Sequence, residues 1–561
     1  MRKIIQSLVT FFCRPVVLAG AFAIVMAGLY AFEKMAAHMP FVAMVITAIS
    51  AALFIITRKF FFSAYFGMAT VSIITIASTV KYRMKGFDLH VFDFGFTGED
   101  PAAMRFLLEG YAYLIVPVIV LALLSVAFVT MIGVFEPRSA TGWRKRASML
   151  LASSLGIYLA YPLDPMEPRY FHYLGGFNAT SFFVSTLDLQ YQFRRSEFAD
   201  RLNNVPQQPP YEDSVECGDP GNRPDIFMVL SESNTDPRNF PQLHTDGRFD
   251  DSFLSDDGLL HPLQVETFGG GTWVSQISVM SGLSSVDFGV QAPYLTTVLE
   301  GKVRGALPEV LARCGYRTVS LTPVKRSFVN EAAFMESIGF QTILDYDDIG
   351  ASEYAHRDDF YFKAAEAFIR DHRRKGGGPL LFTLKTMFTH SPYVDSLLAK
   401  NTLSPISFGG DAPTDEYVNR MLATQQDFRD YLDVIRSLTT ERGSIVLEYG
   451  DHQSYVTKSL VDEAYGGNAL QDLRSAAYRT YYTVHSFGYA LDMDTFPKDE
   501  LDIGYLGAVL VKAARLPTSP MYRDLIELGE YCQGRFHDCA DRDAVDRHLR
   551  KRADSGLLNV F

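Results

Sequence analysis

The sequence predicts two architectures in one chain: a bundle of transmembrane helices, followed by an α/β domain with a mostly parallel sheet and helices on both faces. Long apolar runs fill the chain up to about residue 161, and beyond it the apolar runs are short and charges are dense. After residue 224, short apolar runs alternate with helical patterns, which is the order that strand–helix–strand units produce. The length of 561 residues leaves room for both parts.

The apolar part contains five candidate spans, at about 15–32, 40–57, 60–80, 111–135 and 147–161. A spanning helix needs about 20 mainly apolar residues, so the fourth run is unambiguous and the last is short. Any single run could instead be a buried core helix. Five in succession favour a membrane domain over residues 1–161.

Basic residues predict how this domain is oriented. They cluster before the first span, between the second and third, and between the fourth and fifth: Arg2, Lys3 and Arg14; Arg58 and Lys59; Arg138, Arg144, Lys145 and Arg146. With an odd number of spans, these clusters share one side, which the positive-inside rule assigns to the cytoplasm. We therefore expect a multi-pass protein of a bacterial inner membrane, with a cytoplasmic N-terminus and a periplasmic domain after residue 161.

The stretch 162–224 is rich in proline, asparagine and aromatic residues and is typical of a juxtamembrane connector. Within it, 177–194 has the pattern of an amphipathic helix on the membrane surface, and a plain linker is the alternative. A second domain is expected over 225–525, and 526–561 forms a C-terminal tail. In that tail, Cys532 and Cys539 bracket a short loop and could form a disulfide outside the cytoplasm; two ordinary thiols are the alternative.

The second domain alternates strand and helix patterns. Candidate strands are Ile226–Leu230, Thr318–Leu321, Leu380–Leu384 and Ile445–Leu447, and candidate helices are Ala306–Cys314, Phe360–Arg374 and Asp415–Leu438. Ligands of parallel sheets bind at the carboxyl ends of the strands, so polar residues that follow these runs matter most. The formal net charge of −12 argues against a nucleic-acid partner, because phosphate backbones require a basic face.

Three groups of polar residues stand at such positions. Glu232 follows the first strand, the pair Asp451-His452 follows the last, and Thr272 comes after three glycines where a helix should begin. A helix N-terminus with a glycine-rich approach favours an anion. Each feature also has an ordinary explanation: Glu232 as a helix cap, Thr272 as an N-cap. Together they offer oxygen and nitrogen ligands to one divalent ion.

This combination resembles the membrane-anchored branch of the alkaline phosphatase superfamily, a sulfatase-like branch that includes lipoteichoic acid synthases, phosphoglycerol transferases of periplasmic glucans and phosphoethanolamine transferases. The family pattern is a strand ending in Glu-Ser, a glycine-rich turn with a nucleophilic threonine, and a late Gly-Asp-His. Here these are Glu232-Ser233, Thr272 and Gly450-Asp451-His452. The resemblance covers nearly the whole chain and is weakest in the spans and in the tail.

Two further segments extend the resemblance. The segment from Tyr354 to Arg357 is similar to a family region that supplies an aromatic and a basic residue to the substrate phosphate, with Tyr354 where the family has tryptophan. The resemblance implies Arg357 as the phosphate ligand, with His356 as its alternative, and adds Trp273 to the expected substrate contacts. The motif around His390 resembles the family's Thr-His-x-Pro-Tyr, which implies that His390 lies beside the leaving group.

The resemblance implies a metal-dependent phosphotransferase. Glu232, Thr272, Asp451 and His452 would hold one divalent cation, Mn²⁺ or Mg²⁺ by similarity to the phosphoglycerol branch and Zn²⁺ by similarity to the phosphoethanolamine branch. Thr272 would take phosphoglycerol from phosphatidylglycerol and pass it to a glycan, glycolipid or lipid acceptor. Gly-Asp-His-Gln in place of Ser-Asp-His-Gly-Glu favours this branch. The alternatives are a phosphoethanolamine transferase, a sulfatase or phosphodiesterase, and a catalytically silent membrane protein that senses lipid.

Overall fold

The computed structural model describes residues 2–560 apart from 34, 97–100, 162–172, 190–196, 220, 222, 395–396 and 401–403. The chain forms two compact units, Met1–Gly95 with Tyr111–Gln190 and Phe96–Gly110 with Tyr191–Phe561. The change of composition near residue 161 therefore predicts the division approximately, since the first unit also takes in part of the predicted connector.

Helices make up the N-terminal part of the chain. They are α1 (Arg2–Phe12), α2 (Pro15–Phe32), α3 (Met39–Thr57), α4 (Phe60–Lys85), α5 (Phe92–Phe96), α6 (Pro101–Phe135), α7 (Trp143–Leu159) and α8 (Asn178–Ser185). Proline stands in the first turn of α2 and of α3, where its missing N–H costs nothing. Gly86 ends α4 in the left-handed conformation that glycine adopts without strain.

Among the described residues, four helical segments are long and apolar enough to cross a membrane: Pro15–Phe32, Ala36–Thr57, Phe60–Lys85 and Leu108–Phe135. The prediction of five spans was wrong. The fifth, 147–161, lies mostly in α7, which has only 17 residues and carries three basic ones directly after its first residue, Trp143. The apolar remainder covers about 20 Å, against a hydrocarbon core of about 30 Å. With four crossings the three basic clusters still share one side, but the chain after the last crossing returns to that side too, so the predicted placement of the second domain outside the cytoplasm no longer follows from the spans.

In the described part of the expected surface helix, residues 177–189, the chain does not form one continuous helix. The chain forms α8, followed by a short 3₁₀ turn, Thr186–Leu189, and most of α8 is buried. The carboxylate of Glu33 accepts hydrogen bonds from the backbone N–H groups of Ala179 and Thr180 at the start of this helix, at 2.7 and 3.3 Å. Part of the predicted connector is therefore an interior element of the first unit. Residues 162–172 and 190–196 of the connector, among them the end of the expected surface helix, lie outside the described residues.

The second unit is built on an eight-stranded mixed sheet, mostly parallel. The strands are β1 (Asp225–Ser231), β2 (His261–Gln264), β3 (Arg317–Leu321), β4 (Thr342–Leu344), β5 (Leu380–Lys385), β6 (Ser444–Gly450), β7 (Arg479–Phe487) and β8 (Leu501–Asp502), in the order β4-β3-β5-β1-β6-β7-β2-β8. From β4 to β6 all neighbours are parallel, and β7 is antiparallel to both β6 and β2. The four predicted strands are confirmed as β1, β3, β5 and β6.

Twelve helices accompany the sheet in the described part of this unit. They are α9 (Glu197–Asn203), α10 (Thr272–Ser281), α11 (Leu295–Val298), α12 (Leu307–Arg313), α13 (Glu331–Ser337), α14 (Asp358–Arg374), α15 (Leu397–Lys400), α16 (Ala412–Leu438), α17 (Lys458–Tyr465), α18 (Leu506–Ala513), α19 (Pro520–Tyr531) and α20 (Arg542–Asp554). The three predicted helices correspond to α12, α14 and α16. On one face of the sheet, α14 and α16 pack over apolar side chains of its parallel strands, such as Phe227 and Phe382.

The C-terminal segment belongs to this unit. The predicted boundary at residue 525 falls inside α19, and α20 follows it. Cys532 and Cys539 are paired, with their Cα atoms 4.7 Å apart, which confirms the disulfide alternative. A second pair, Cys217 and Cys314, has Cα atoms 5.3 Å apart and was not expected from the sequence. Among the described residues Cys13 is free.

Candidate active site

Two adjacent parallel strands bring the predicted acidic residues together. β1 and β6 are paired in a register that places Ser231 opposite Gly450, so the next residues, Glu232 and Asp451, leave the sheet side by side. Both carboxylates are buried, as is His452. One ligand atom each from Glu232, Asp451 and His452 lies within 4.8 Å of the other two, a grouping that suits a metal ion.

Thr272 lies at the centre of this group. It is the first residue of α10, and its Oγ1 donates a hydrogen bond to Glu232 Oε2 at 2.8 Å and lies 3.4 Å from His452 Nε2. The preceding Gly269, Gly270 and Gly271 all have positive φ, a conformation in which any other residue would be strained. Three residues into the helix, Ser275 Oγ donates to the carbonyl of Asp451 at 2.6 Å, which ties the start of α10 to the metal-ligand loop.

The donor set fits a divalent cation. Asp451 Oδ1 accepts two backbone N–H groups, from Ser233 at 2.7 Å and from His452 at 2.9 Å. Its other oxygen, Oδ2, is buried and accepts no hydrogen bond of normal geometry in the described part of the chain. A buried carboxylate oxygen without such a bond destabilises the folded state unless a positive charge lies beside it. Two carboxylates, one imidazole and one hydroxyl supply such a site with mixed oxygen and nitrogen ligands.

The two carboxylates influence each other's ionisation. Burial and the neighbouring Glu232 carboxylate raise the pKa of Asp451 well above its ordinary value. Burial also opposes ionisation of Glu232, but the nearby His390 and His452 hold the pKa of Glu232 below its ordinary value. Without a cation, the pair thus favours a state with one carboxylate ionised, and a bound cation would favour ionisation of both.

His390 faces the same site from the neighbouring strand. It follows β5, which pairs with β1 on the side opposite β6. Its Nδ1 lies 2.9 Å from the hydroxyl of Tyr354 and contacts the carbonyl of Ser391, so this nitrogen is engaged away from the metal ligands. The other nitrogen, Nε2, lies 4.0 Å from Glu232 Oε1. His390 can therefore present Nε2 to a group bound at Thr272, with Tyr354 holding the ring from behind.

A residue that the sequence analysis missed shapes this side of the site. Arg420, on α16, is fully buried and donates to the carbonyl of His390 at 3.0 Å and to that of Pro392 at 3.2 Å. Its Nε also bonds Glu416 at 2.9 Å. In the sequence, Arg420 lies on the apolar face of its helix, one turn after Tyr417. A charged residue on such a face is the signal that could have pointed to it.

A cavity of about 430 Å³ opens beside His390, and its lining includes Tyr354, His390, Pro392, Leu397, Lys400 and Arg420. The cavity adjoins the side of His390 that Tyr354 holds. The cavity therefore gives the site space next to His390, beyond Glu232, Asp451 and His452.

Three of the expected substrate ligands lie in other contacts. Arg357 pairs with Asp427, through Nη2 at 2.7 Å and Nε at 2.9 Å. His356 stacks on Phe360, with ring centroids 4.1 Å apart, and its Nε2 accepts two backbone N–H groups. The indole N–H of Trp273 donates to the carbonyl of Pro293 at 3.0 Å. Their roles in binding a substrate phosphate stay predictions.

Fold and site together define an α/β domain with a threonine hydroxyl set among acidic and imidazole metal ligands at the carboxyl ends of parallel strands. Residues 224–487 match the family model described as Sulfatase, which confirms the sulfatase-like resemblance for this part of the chain. The match ends at β7 and leaves α18, α19 and α20 outside it.

Known proteins with detectable similarity are distant. The "Putative cyclic beta-1,2-glucan modification protein" of Rhizobium meliloti is 24% identical over 268 residues, 45% of this chain and 39% of that protein. The chain spans 60% and 39% of the length of the curated relatives it matches.

Two solved structures are also similar to this chain. The phosphoglycerol transferase GacH of Streptococcus pyogenes, in complex with sn-glycerol-1-phosphate, aligns with 15% identity and a TM-score of 0.47, covering 66% of this chain and 91% of its own. The phosphoethanolamine transferase EptA of Neisseria meningitidis aligns with 13% identity and a TM-score of 0.49, covering 90% of this chain and 97% of its own.

Proposed function

We propose that this protein transfers a phosphoglycerol headgroup from phosphatidylglycerol to an extracytoplasmic glycan or glycolipid, through a covalent intermediate on Thr272. The observation that carries the proposal is the position of the Thr272 hydroxyl, 2.8 Å from Glu232 and 3.4 Å from His452, among three residues suited to one cation. A threonine hydroxyl is a weak nucleophile and needs such activation to attack a phosphodiester.

In the first half-reaction, Thr272 Oγ1 attacks the phosphorus and the bond from phosphorus to the diacylglycerol oxygen breaks. Glu232 Oε2, which already accepts the hydrogen bond of the hydroxyl, is placed to take its proton. His390 Nε2 would protonate the departing oxygen. In the second half-reaction, an acceptor hydroxyl gives its proton to His390 and attacks the same phosphorus, and Thr272 leaves with a proton.

Glu232, Asp451, His452 and Thr272 would hold the cation. When bound, a divalent ion supplies Lewis-acid stabilisation of the charge that develops on the phosphoryl oxygens. Two carboxylates and a hydroxyl with a single imidazole favour Mn²⁺ or Mg²⁺, with Zn²⁺ as the alternative. The buried Asp451 Oδ2, which lies 3.3 Å from His452 Nε2 and accepts no hydrogen bond of normal geometry among the described residues, is suited to be one of the ligand atoms.

The choice of donor rests on the sequence motif Gly450-Asp451-His452-Gln453 and on the absence of cysteines close to Thr272. For the acceptor, the curated relative named for modification of cyclic beta-1,2-glucan supports a glycan. Phosphatidylethanolamine is the competing donor.

We place the catalytic unit outside the cytoplasm. The support is the pairing of all four of its cysteines, Cys217 with Cys314 and Cys532 with Cys539, because such bonds persist in oxidising compartments. Thiol-alkylation mass spectrometry of protein isolated from cells tests this placement. Four blocked cysteines support it, and four free thiols would contradict it.

The decisive experiment is mass spectrometry of the purified full-length protein incubated with Mn²⁺ and either phosphatidylglycerol or phosphatidylethanolamine. We expect an added mass of one phosphoglycerol unit on Thr272 with the first lipid and none with the second. The Thr272→Ala variant should form no adduct, and Thr272→Ser should retain one. An adduct from phosphatidylethanolamine would reassign the donor, and an adduct that persists in Thr272→Ala would overturn the mechanism.

A further inference from the structure

The carboxylate of Glu266 connects the two ends of the chain segment that contains Thr272. We call Glu266–Ser285 the nucleophile segment, because Thr272 lies within it. Glu266 Oε2 accepts the backbone N–H of Ser285 at 2.6 Å and its hydroxyl at 2.7 Å, while Oε1 accepts the hydroxyl of Ser284 at 2.6 Å. Glu266, three residues before the first glycine of the turn, is thus fastened to the residues that follow α10, and all three side chains are buried.

The turn itself supplies little rigidity. Gly269 N–H donates to the carbonyl of Gln453 at 2.9 Å, but the three glycines occupy backbone conformations that glycine leaves at low cost, so the position of Thr272 also depends on what fixes the two ends of the segment. Fixing matters, because a displacement of 1 Å at a reacting atom can cost roughly 100-fold in rate.

A histidine from the C-terminal segment holds the start of the nucleophile segment. His537 Nε2 lies 2.7 Å from Ser284 Oγ and 3.1 Å from Glu266 Oε1. Burial opposes a charge on His537, but the hydrogen bond and the charge of Glu266 raise the pKa of His537 above its ordinary value. His537 is carried on the loop between Cys532 and Cys539, which the disulfide closes.

The C-terminal helices also hold the far end of the nucleophile segment. From α19, the hydroxyl of Tyr522 donates to the carbonyl of Met280 at 3.0 Å, in the last turn of α10. From α20, Arg542 pairs with Asp287 at 2.6 Å, just after the segment. All of these contacts come from residues beyond 487, where the Sulfatase match ends.

We propose that the C-terminal segment Pro520–Asp554 is a positioning element of the active site, in which His537 acts through Glu266 to hold Thr272 in place against Glu232 and His452. This inference rests on the proposed role of Thr272 as nucleophile. It assigns a function to a part of the chain that the sequence suggested only as a tail. His537 contacts no metal ligand, so its effect passes entirely through the nucleophile segment.

Hydrogen–deuterium exchange on the full-length protein with Mn²⁺ tests the positioning directly and needs no catalytic activity. The variant is His537→Gln, and the matched control is His485→Gln, since both histidine side chains are 15% exposed and both pair with an acidic residue. We expect faster exchange in peptides covering 266–285 for His537→Gln and wild-type exchange for His485→Gln. Wild-type exchange over 266–285 in His537→Gln would overturn the proposal, and so would faster exchange spread evenly over the whole unit.

Single-turnover kinetics then separate positioning from general damage. For adduct formation from phosphatidylglycerol, His537→Gln should lower the maximal rate tenfold or more and leave the half-saturating concentrations of lipid and Mn²⁺ unchanged. The double variant Cys532→Ser/Cys539→Ser should show the same pattern. An unchanged rate in His537→Gln would contradict the inference. If the wild type itself forms no adduct, the proposed function fails, and the exchange experiment still decides the positioning role.

Discussion

Replacing Asp451 by asparagine should stabilise the protein when no metal is bound and abolish its response to metal. Asparagine has the same shape and keeps the oxygen that accepts the N–H groups of Ser233 and His452. It replaces the oxygen that makes no normal hydrogen bond with an amide group that can donate to Glu232. The change therefore removes a charge and retains the existing contacts.

The size of the effect follows from the distance between the charges. The ligand oxygens of Asp451 and Glu232 lie within 4.8 Å of each other, and two like charges at that distance repel by about 3.5 kcal/mol at an effective dielectric constant near 20. Because the pKa of Asp451 is raised in the folded state, the metal-free wild type loses stability as pH rises through that pKa. The variant should lack this loss, so its advantage should be largest at neutral and higher pH.

The assay is thermal unfolding of the full-length protein in detergent at pH 7.5, with EDTA or with Mn²⁺. In EDTA the midpoint of Asp451→Asn should exceed that of the wild type by roughly 5 °C. With Mn²⁺ at about 100 times its dissociation constant, the wild type should gain about 2.7 kcal/mol, and the variant should gain nothing. A variant less stable than the wild type in EDTA, or one with the full Mn²⁺ shift, would refute the reasoning.

Three further predictions concern residues around His390. Burial raises the pKa of Asp358 to about 7, so its contribution to the free energy of unfolding falls by up to about 4 kcal/mol between about pH 4 and pH 7. Thermal unfolding of Asp358→Asn should lose this pH dependence, and equal pH profiles for the variant and the wild type would contradict the reasoning. Tyr354→Phe removes the hydroxyl beside His390 Nδ1 and should lower the rate of adduct formation about tenfold without changing the half-saturating concentration of lipid. An unchanged rate would show that the contact is dispensable. Arg357→Lys breaks the two-point pairing with Asp427 and should lower the free energy of unfolding by about 1 kcal/mol, with little effect on the half-saturating concentration of lipid. A tenfold rise in that concentration would instead support Arg357 as a phosphate ligand.

The residues that hold the candidate site were predictable because they follow apolar strand patterns. Glu232 and Asp451 come directly after β1 and β6, and parallel neighbours place such residues at one edge whatever the rest of the fold does. The sequence analysis missed four strands: β7, which has nine residues, and β2, β4 and β8, which have only four, three and two. Runs as short as the last three carry no periodic signal, and only pairing with longer neighbours makes them strands.

The same contrast applies to the membrane part. The four longest apolar runs were recognised because length and composition alone decide whether a helix can cross a bilayer. The fifth failed on length, since the basic start of α7 shortens its apolar part. The burial of α8 could not be seen in the sequence, because it depends on Glu33, which lies about 145 residues earlier in the chain and accepts from the start of that helix.

The sequence by itself determined the two-part architecture, the strand ends that carry Glu232, Asp451 and His452, and the glycine turn that presents Thr272. These features follow from hydrophobic period and local backbone preference, which are written in consecutive residues. Only the tertiary structure decided that Arg357 pairs with Asp427, 70 residues away, and that His537 pairs with Glu266, 271 residues away. Which residues pair across such sequence separations depends on which helices and strands pack together. A pattern of neighbouring residues in the sequence does not contain that information.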